Sequence, residues 1–424
     1  MTRAQGDRDT WRERGDGSGG EGVSTPTDTR PLPSDEPIGE LETVFTFDDG
    51  PMPTGVTVSR AGRVFVNFPK WGDDVTATVA ELRGGAVVPF PDEAWNSPSG
   101  NDDPQALVSV QSVVVDPADR LWILDTGSPM FQPTKRGGPK LVRVDLDTDT
   151  VAQTNVFEPD VALETTYLND VRFDLRRGEA GTAFTADSSD KGPNGIVVVD
   201  LATGQAWRRL HDHPSTKAVP PPDFLPIVEG RVFMERPPDG PPKPITLGSD
   251  GIAINADGSR LYYCPLASRR LYSVSVDALA DRSVSDEDVA ATVVDEGDKG
   301  ASGDSLQSDD AGRIYLTDGE HNAITRKLPD GTVDRAVHDP RLVWPDTMSI
   351  VEGWLYVTAN QLNRRPGSRA AGTCADTRTY CSGPRSTPGR SGCCRPTDSL
   401  PDASASAPTN PRPAHPPGVR TNPS

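Results

Sequence analysis

The sequence predicts an all-β fold, a six-bladed β-propeller, from three observations. A short phrase occurs six times, and its copies start 57, 58, 81, 54 and 42 residues apart, a period typical of propellers or solenoids. Each copy reads as a hairpin, because alternating apolar residues predict strands and the Asp, Gly and Ala between them predict a turn. Helical periodicity is nearly absent, apart from one turn at 277–281. The copies start at Thr54, Gln111, Asn169, Asp250, Asp304 and Asp346.

Further strands follow most copies of the phrase. After the second copy come PKLVRVDL and VAQTNVFE, and after the fourth come RRLYSVSV and DVAATVVDEG. A single hairpin cannot bury its apolar faces, whereas blades of about four strands can do so by packing around a ring. We therefore predict one propeller over residues 41–365. The alternative, a parallel β-helix, has much shorter repeats.

The last blade is predicted to be incomplete. The segment LETVFTF at 41–47 is the natural outer strand of this blade, because propellers usually close by pairing the two ends of the ring. No convincing strand follows WLYVTANQL at 354–362, so a gap is expected between the hairpin and the N-terminal strand. Exposed strand edges are a liability, and weak closure is the expectation.

The two ends differ in composition from the repeats. Residues 1–40 are polar and read as a disordered leader, with no apolar segment of a signal peptide. Residues 366–424 hold 11 Pro and four of the five Cys, and the spacing of these Cys fits no zinc pattern well. Three interpretations of this tail stay open: a disulfide- or metal-binding segment, natural disorder, or translation out of frame.

The charge of the chain excludes several classes of partner. The formal net charge is −19, and the predicted propeller carries all of this excess. Such a surface repels nucleic acid and anionic membranes. No run of about 18 apolar residues is present, so no transmembrane helix is predicted. We expect a monomer whose partner is a small molecule.

The first residues of the six phrases form a candidate site. Inner strands of a propeller begin around one mouth of its channel, so three carboxylates, two amides and one hydroxyl should meet there. The expected ligand-binding residues are Thr54, Gln111, Asn169, Asp250, Asp304 and Asp346. Calcium takes about six to eight such oxygen ligands. Without a cation, repulsion should raise the pKa of at least one carboxyl, which would suit Asp304 or Asp346 for proton transfer. A metal site, a metal-free polar site and a water-filled channel all stay open.

Other polar residues are predicted near the same mouth. The second strands end there in Asp125, Asp187, Asp318 and Asn360, with His321 just beyond; these residues widen an acidic funnel or simply cap turns. A long insertion before Asp250 should cover the mouth. His211 and His213 read as a solvated loop pair rather than metal ligands. Trp71, Trp95 and Trp344 either wall a pocket or pack in the core, and Cys264 reads as a buried structural thiol.

The hairpins also carry a family likeness. TGVTVSRAGRVFVNFPKWGDD, DRLWILDTG, NDVRFD and WPDTMSIVEGWLYVTANQLNR resemble the major royal jelly protein/yellow family over roughly residues 41–364. The resemblance implies a six-bladed propeller, in a family whose insect members are often secreted and tied to pigmentation, nutrition or amine binding, some being dopachrome-converting-like. Bacterial members have no settled role. Secretion is the expectation from this family and a cytoplasmic location the alternative, since no signal peptide is seen. The family normally continues with further strands where this chain has its tail.

A looser likeness is to the gluconolactonase/senescence-marker group of lactonases. Asn169-Asp170, Ser249-Asp250-Gly251 and Asp304-Ser305 look like its axial segments, while Thr54-Gly55 stands where that group has a Glu. The resemblance implies one divalent cation, calcium, held by Asn169, Asp250 and Asp304. The leading hypothesis is a yellow/royal-jelly-like propeller that binds a small polar or cationic ligand. The alternatives are a metal-dependent lactonase-type hydrolase and a protein-interaction scaffold.

Overall fold

The computed structural model describes residues 35–48, 50–96, 105–237, 240–365 and the backbone of 379–383. Most regular structure in this part of the chain is β-strand, arranged as six four-stranded antiparallel sheets and two two-stranded ones. The described residues also form three short α-helices: α1 (Glu93–Asn96), α2 (Val276–Ala280) and α3 (Asp286–Ala291). Single 3-10 turns lie at Pro129–Phe131, Pro214–Thr216 and Leu362–Arg364.

The first strand, β1 (Glu42–Phe47), belongs to a sheet completed near the other end of the chain. Consecutive strands form the next three sheets. The first sheet comprises β2 (Gly55–Val58), β3 (Val64–Asn67), β4 (Val79–Arg83) and β5 (Ala86–Pro89). The second comprises β6 (Val110–Val115), β7 (Leu121–Asp125), β8 (Lys140–Asp145) and β9 (Thr150–Val156). The third comprises β10 (Leu168–Asp174), β11 (Thr182–Asp187), β12 (Gly195–Asp200) and β13 (Ala206–Arg209).

An insertion separates the third and fourth sheets. It forms two hairpins, from β14 (Ile227–Val228), β15 (Arg231–Val232), β16 (Met234–Glu235) and β17 (Lys243–Pro244). The fourth sheet comprises β18 (Ser249–Ile254), β19 (Arg260–Pro265), β20 (Arg270–Ser275) and β21 (Val294–Asp298). The fifth comprises β22 (Leu306–Ser308), β23 (Ile314–Asp318), β24 (Ala323–Lys327) and β25 (Val333–His338). The last comprises β26 (Pro345–Val351), β27 (Trp354–Ala359), β28 (Thr379–Gly383) and β1.

The sheets are arranged radially around a channel. The first strand of each sheet contacts that of the next, in the order β2, β6, β10, β18, β22 and β26, and β26 contacts β2 again. A cluster of buried apolar side chains fills the space between each pair of neighbouring sheets in the described residues. The predicted all-β propeller is therefore confirmed.

The Arg of the recurring phrase fastens the hairpin turns. In the second sheet, Arg120 donates from Nε to Asp116 Oδ2 over 2.7 Å, and its guanidinium lies 5.8 Å from the ring centre of Trp122. Trp122 Nε1 also donates to Asp116 Oδ2, over 2.8 Å. The fifth sheet has a similar arrangement, in which Asp309 accepts from Arg313 and from the hydroxyl of Tyr315. The Arg-apolar-aromatic pattern is thus a local unit, in which one buried carboxylate binds both the cation and the ring of the following strand.

One predicted strand is partly helical. The segment DVAATVVDEG was expected to form an outer strand from residue 288, but β21 begins only at Val294. The preceding residues form α3 because the Ser285 hydroxyl accepts the Asp288 N–H, and three acidic residues favour the first turn. The helical turn expected at 277–281 is present as α2.

The last sheet has four strands, so the predicted gap is wrong. The backbone of β28, from the tail segment, pairs antiparallel with both β1 and β27. The rest of the tail, 366–378 and 384–424, and residues 1–34 of the predicted leader lie outside the described residues. In the described part of the chain, no helix has the length and apolar character needed to cross a bilayer.

We predict that Asp309→Ala lowers the free energy of unfolding by about 2–4 kcal/mol, because it leaves a partly buried cation without its partner. Asp309 Oδ2 accepts from Arg313 Nε over 2.5 Å and from Tyr315 OH over 3.1 Å. Urea unfolding would measure the loss. Asp310→Ala, in the exposed neighbouring residue, is the matched control and should change little. Equal effects of the two substitutions would contradict the role given to the turn carboxylate.

We also predict that a chain ending at residue 365 melts at a lower temperature than one ending at 390. The shorter chain lacks β28, so the facing edges of β1 and β27 lose their backbone partners. Thermal denaturation followed by circular dichroism compares the two. Identical melting temperatures would show that this strand does not contribute to closing the ring.

Candidate functional site

Register shifts near the starts of several inner strands determine where the side chains of the predicted site residues point. The register of β6 shifts between Val110 and Ser112, that of β10 between Leu168 and Val171, and that of β18 between Ser249 and Ile252. A bulge of this kind redirects the side chain that it contains. The redirected residues include Gln111, Asn169 and Asp250, and a similar shift in β26 contains Asp346. We call this end of the channel the axial mouth.

Three buried carboxyl groups interact at the axial mouth. Asp250, Asp304 and Asp346 are each at most 8% exposed. Burial is the main cause that raises the pKa of each carboxyl well above its usual value, and a neighbouring member of the trio raises it further. The structure thus brings together the three acidic residues that the phrase pattern selected.

Two oxygens of this group lack hydrogen-bond partners among the described residues. They are Asp250 Oδ2 and Asp304 Oδ2. Asp346 is better satisfied, since Asn360 Nδ2 donates to its Oδ2 over 2.6 Å and the Thr347 hydroxyl to its Oδ1 over 3.1 Å. The indole of Trp344 lies close enough to Asp304 to lower the pKa of that carboxyl, but outside good hydrogen-bond geometry. An added donor or cation would therefore find two free carboxylate oxygens.

Lys299 is a charged neighbour that the sequence reasoning missed. It is buried in the loop between β21 and β22, and its ammonium donates to the Ala301 carbonyl. Its positive charge lowers the pKa values of Asp250 and Asp304, against the effect of burial. Its place five residues before Asp304 was the only local signal, and nothing in the repeated phrase marks it.

An ion pair that the sequence did not predict crosses the channel. Arg172 Nη1 donates to Asp170 Oδ1 over 2.6 Å, and Arg172 Nη2 to the Leu306 carbonyl of the fifth sheet over 2.6 Å. The hydroxyls of Ser112 and Ser305 donate to Asp170 over 3.3 and 3.1 Å. This ion pair, which we call the crossbar, connects the second, third and fifth sheets.

The amide and hydroxyl members of the predicted set have protein partners. Thr54 is fully buried and accepts from Asn67 Nδ2 over 2.9 Å, so its hydroxyl is already engaged. Asn169 Nδ2 donates to Ser188 Oγ over 3.1 Å. Gln111 Oε1 accepts from Tyr167 OH over 2.9 Å. Of the six predicted residues, Asp250 and Asp304 therefore have the oxygens that lack partners among the described residues.

Aromatic rings wall one side of the axial mouth. Phe131 stacks between Trp71 and Tyr167, with ring centres 5.9 and 4.1 Å apart, and Trp71 Nε1 donates to Tyr167 OH over 2.6 Å. Phe131 has a φ of 53°, a strained backbone for a non-glycine residue. Trp95 instead packs in the core between the first two sheets. Of the tryptophans proposed for a pocket, Trp71 is thus at the mouth.

The insertion lies over the same end of the channel, as predicted. Its Phe233 packs edge-on against Trp344, with ring centres 4.7 Å apart, and Trp344 directly precedes β26. The turn between β14 and β15 is held by Glu229, which accepts from Asn363 Nδ2 over 2.8 Å. Glu320 accepts the Ile227 N–H over 2.8 Å. The insertion is therefore a packed cover.

The residues that end the second strands divide into two kinds. Asp125 accepts backbone N–H groups of Val108, Ser109 and Gly127 over 2.6–2.9 Å, and Asp187 accepts from Tyr167 N and Arg208 Nη2 over 2.9 Å. These two carboxylates hold the backbone, in agreement with turn capping. Asp318 accepts the backbone N–H of His321 over 2.9 Å and in addition binds the ring of His321, Oδ1 to Nδ1, over 2.8 Å, while half of the His321 side chain stays exposed.

The remaining predicted residues have structural contacts. His211 Nδ1 accepts from Arg208 Nε over 3.0 Å, and His213 Nδ1 lies 2.7 Å from Ser215 Oγ. Cys264 is 1% exposed, and burial raises the pKa of its thiol to about 11. The thiol is thus a buried structural group, as predicted.

The side chains at the axial mouth include oxygen atoms that could coordinate a metal ion. Within the described ranges, no group of three or more His, Cys, Asp and Glu side chains is placed to hold an ion. The predicted set of Asn169, Asp250 and Asp304 contains only two carboxylates, so that finding leaves it open. The unpartnered Oδ2 atoms of Asp250 and Asp304 fit a hard cation chemically.

We predict that Asp304→Asn flattens the pH dependence of stability. A carboxyl whose pKa is raised by folding stabilises the fold below its ordinary pKa, about 3.9, and this contribution is lost as the pH rises through the folded value. Removing the charge should therefore raise the free energy of unfolding at pH 7, measured by urea unfolding. Asp125→Asn is the comparison and should destabilise, because Asp125 holds three backbone N–H groups. A loss of stability at pH 7 in Asp304→Asn would contradict the prediction.

Comparisons with known proteins find relatives of this chain in sequence and similar solved structures. Protein yellow of Drosophila erecta and of Drosophila melanogaster are each 28% identical over 253 residues, 55% of this chain and 42% of theirs. The chain thus matches less than half the length of these relatives. Similar solved structures include a gluconolactonase from Xanthomonas campestris, with a TM-score of 0.48 and 13% identity over 82% of this chain and 89% of that one. Another is a calcium-binding regucalcin from Agrobacterium tumefaciens, with a TM-score of 0.48 and 14% identity over 81% and 95%. The major royal jelly protein family matches residues 108–374, more than half of the chain, and the chain belongs to that family.

Proposed function

We propose that this chain is a six-bladed member of its family that binds a small polar ligand, cationic or polyhydroxylated, at the axial mouth. Six four-stranded sheets and the circular contacts of their first strands support the count of blades. The acidic charge of the chain, −19, favours a ligand with positive charge or hydroxyl donors.

The observation that carries the proposal is the pair of unpartnered carboxylate oxygens, Asp250 Oδ2 and Asp304 Oδ2. Buried polar atoms are normally hydrogen-bonded, and each exception calls for a partner. An ammonium or hydroxyl group of a ligand is a donor and would supply one. Asp346 adds a third acidic group to the same electrostatic cluster.

The surroundings favour a small ligand over a macromolecule. The insertion covers the mouth, and the stack of Trp71, Phe131 and Tyr167 provides a flat apolar wall beside the acidic group. Ligand sites commonly combine apolar walls with a few placed polar groups. The aromatic wall would bind the body of the ligand while the carboxylates bind its polar head.

The same oxygens also favour a second candidate function, a metal-assisted hydrolase. Asn169, Asp250 and Asp304 would hold a calcium ion, which would polarise the carbonyl of a lactone. Asp346 would serve as the acid or base, because burial and the charge of Asp304 raise the pKa of its carboxyl well above its usual value and so favour the protonated form.

Calorimetric titration separates these functions. For a cationic ligand or calcium we predict proton release, because a positive charge ionises carboxyls whose pKa values are raised; the observed heat should then change with the ionisation enthalpy of the buffer. A neutral polyol should release none. Asp250→Asn should abolish binding, while Asp277→Asn, an exposed carboxylate 79% accessible in its side chain, should not.

The outcomes are distinct. Saturable binding of a primary amine or a polyol without calcium supports the leading proposal. Calcium binding that is lost in Asp304→Ala, together with lactone hydrolysis that needs calcium, supports the hydrolase. No calcium binding, and no effect of Asp304→Ala, would exclude the metal function. If amines and polyols also fail to bind, the leading proposal is wrong.

A further inference from the structure

A second cavity lies at the opposite end of the central channel. Its volume is about 570 Å³, and it is formed by later residues of the inner strands and by the turns that follow them. Every one of the six inner strands contributes to its wall. Representative lining residues, one from each strand, are Thr57, Val114, Arg172, Ile254, Gln307 and Ser349. Cavities of about 300–1,000 Å³ are the usual size of small-molecule sites.

The crossbar separates this cavity from the axial mouth. Arg172 starts on the third sheet and reaches the Leu306 carbonyl on the fifth, while Asp170 receives hydroxyls from the second and fifth sheets. A ligand at one end of the channel therefore does not contact the acidic group at the other. The crossbar lies between the two ends, and its Asp170 is near enough to the three axial carboxyls to raise their pKa values.

One donor of Arg172 is free within the described structure. The side chain is more than nine-tenths buried and lines the cavity. Its Nη1 and Nη2 atoms bind Asp170, Val171, Ser305 and Leu306, but Nε has no partner. Leaving such a donor unpaired costs about 1–3 kcal/mol, and more when it is charged. An acceptor in the cavity would remove this cost.

The carboxylates around the cavity leave room for a ligand that carries a hydrogen-bond acceptor, because most of them are paired with arginines. Three carboxylates on its wall are each paired with an arginine, in the pairs Asp116–Arg120, Asp174–Arg176 and Asp309–Arg313. Asp119 accepts the Arg60 N–H over 2.8 Å. Asp310 is exposed at the rim. Much of the remaining wall is aliphatic, including Val56, Val113, Met348 and Ile350.

We propose that this cavity, the far-channel site, binds a small molecule with an apolar body and one hydrogen-bond-accepting head. The head, a carboxylate or a neutral carbonyl, accepts from Arg172 Nε, and the aliphatic wall contacts the body. This inference goes beyond the function proposed for the axial mouth and does not depend on it.

Three matched probes test the far-channel site on the full chain. They are 4-phenylbutanoate, 4-phenylbutanamide and 4-phenylbutylamine, which share a body and differ in the head. In ligand-detected NMR titrations, the carboxylate should bind saturably, and the amide should compete with it. The amine has no acceptor and should not compete. The proposal is wrong if neither carboxylate nor amide binds, since the cavity then holds water alone, or if the amine competes as well as the amide.

Two variants and a control locate the binding. Arg172→Lys keeps the charge but removes the Nε donor, and should weaken 4-phenylbutanoate about tenfold or more. Because Arg172 also connects the third and fifth sheets, Gln307→Trp gives a second test: this half-buried residue lines the cavity, and the larger ring should fill it and abolish binding. Glu93→Gln, exposed and outside the cavity, should leave binding unchanged. Unchanged binding in Gln307→Trp would overturn the proposal.

Discussion

Closure of the ring is the constraint on which the other features depend. The first and last sheets meet where the Thr358 hydroxyl donates to the Thr54 carbonyl over 2.6 Å. Phe47, from β1, packs in the same apolar cluster as Val56 of the first sheet. Once these contacts form, the inner strands have to surround one axis. The polar residues that begin those strands are then brought together, even though burying them close to one another costs free energy.

That cost is visible at the axial mouth. Three carboxyls are buried within reach of one another, and each raises the pKa of another. The ammonium of Lys299 and the amide of Asn360 offset part of the repulsion. Buried carboxyl groups that repel one another destabilise the fold. Natural proteins keep such destabilising groups mainly at functional sites. The acidic cluster is therefore where we propose that a ligand binds.

The crossbar makes the channel two compartments rather than one. The Asp170–Arg172 ion pair, whose hydrogen bonds reach two other sheets, holds the ring from inside, whereas the apolar clusters hold it between the sheets. The axial mouth is acidic and covered, while the opposite end is aliphatic and bounded by paired charges. One fold thus offers two environments that suit ligands of different chemistry. The family match begins at residue 108, so the first sheet lies before it.

Local chemistry made much of the fold predictable. The hairpins follow from alternating apolar residues. In the second and fifth sheets the Arg of the phrase binds a turn carboxylate only a few positions away, as Arg120 binds Asp116. The six starting residues could be selected because closure of any ring places them at one end. The helix α3 was missed although its Ser285 cap is also local, because the apolar run that follows has the composition of a strand.

The remainder was decided by contacts between distant segments. The gap beside β27 is filled by β28, from a stretch whose composition gives no strand signal, since backbone pairing needs no particular side chains. Which carboxylates hold the backbone and which stay free depends on partners supplied by other loops: Asp125 receives N–H groups from Val108 and Ser109, whereas Asp250 Oδ2 receives none in the described chain. The role of Arg172 in the crossbar could not be predicted, because its partner Leu306 lies 134 residues away in the sequence. Periodicity describes a strand and its neighbours, but burial and hydrogen-bond satisfaction arise only when the whole ring has closed.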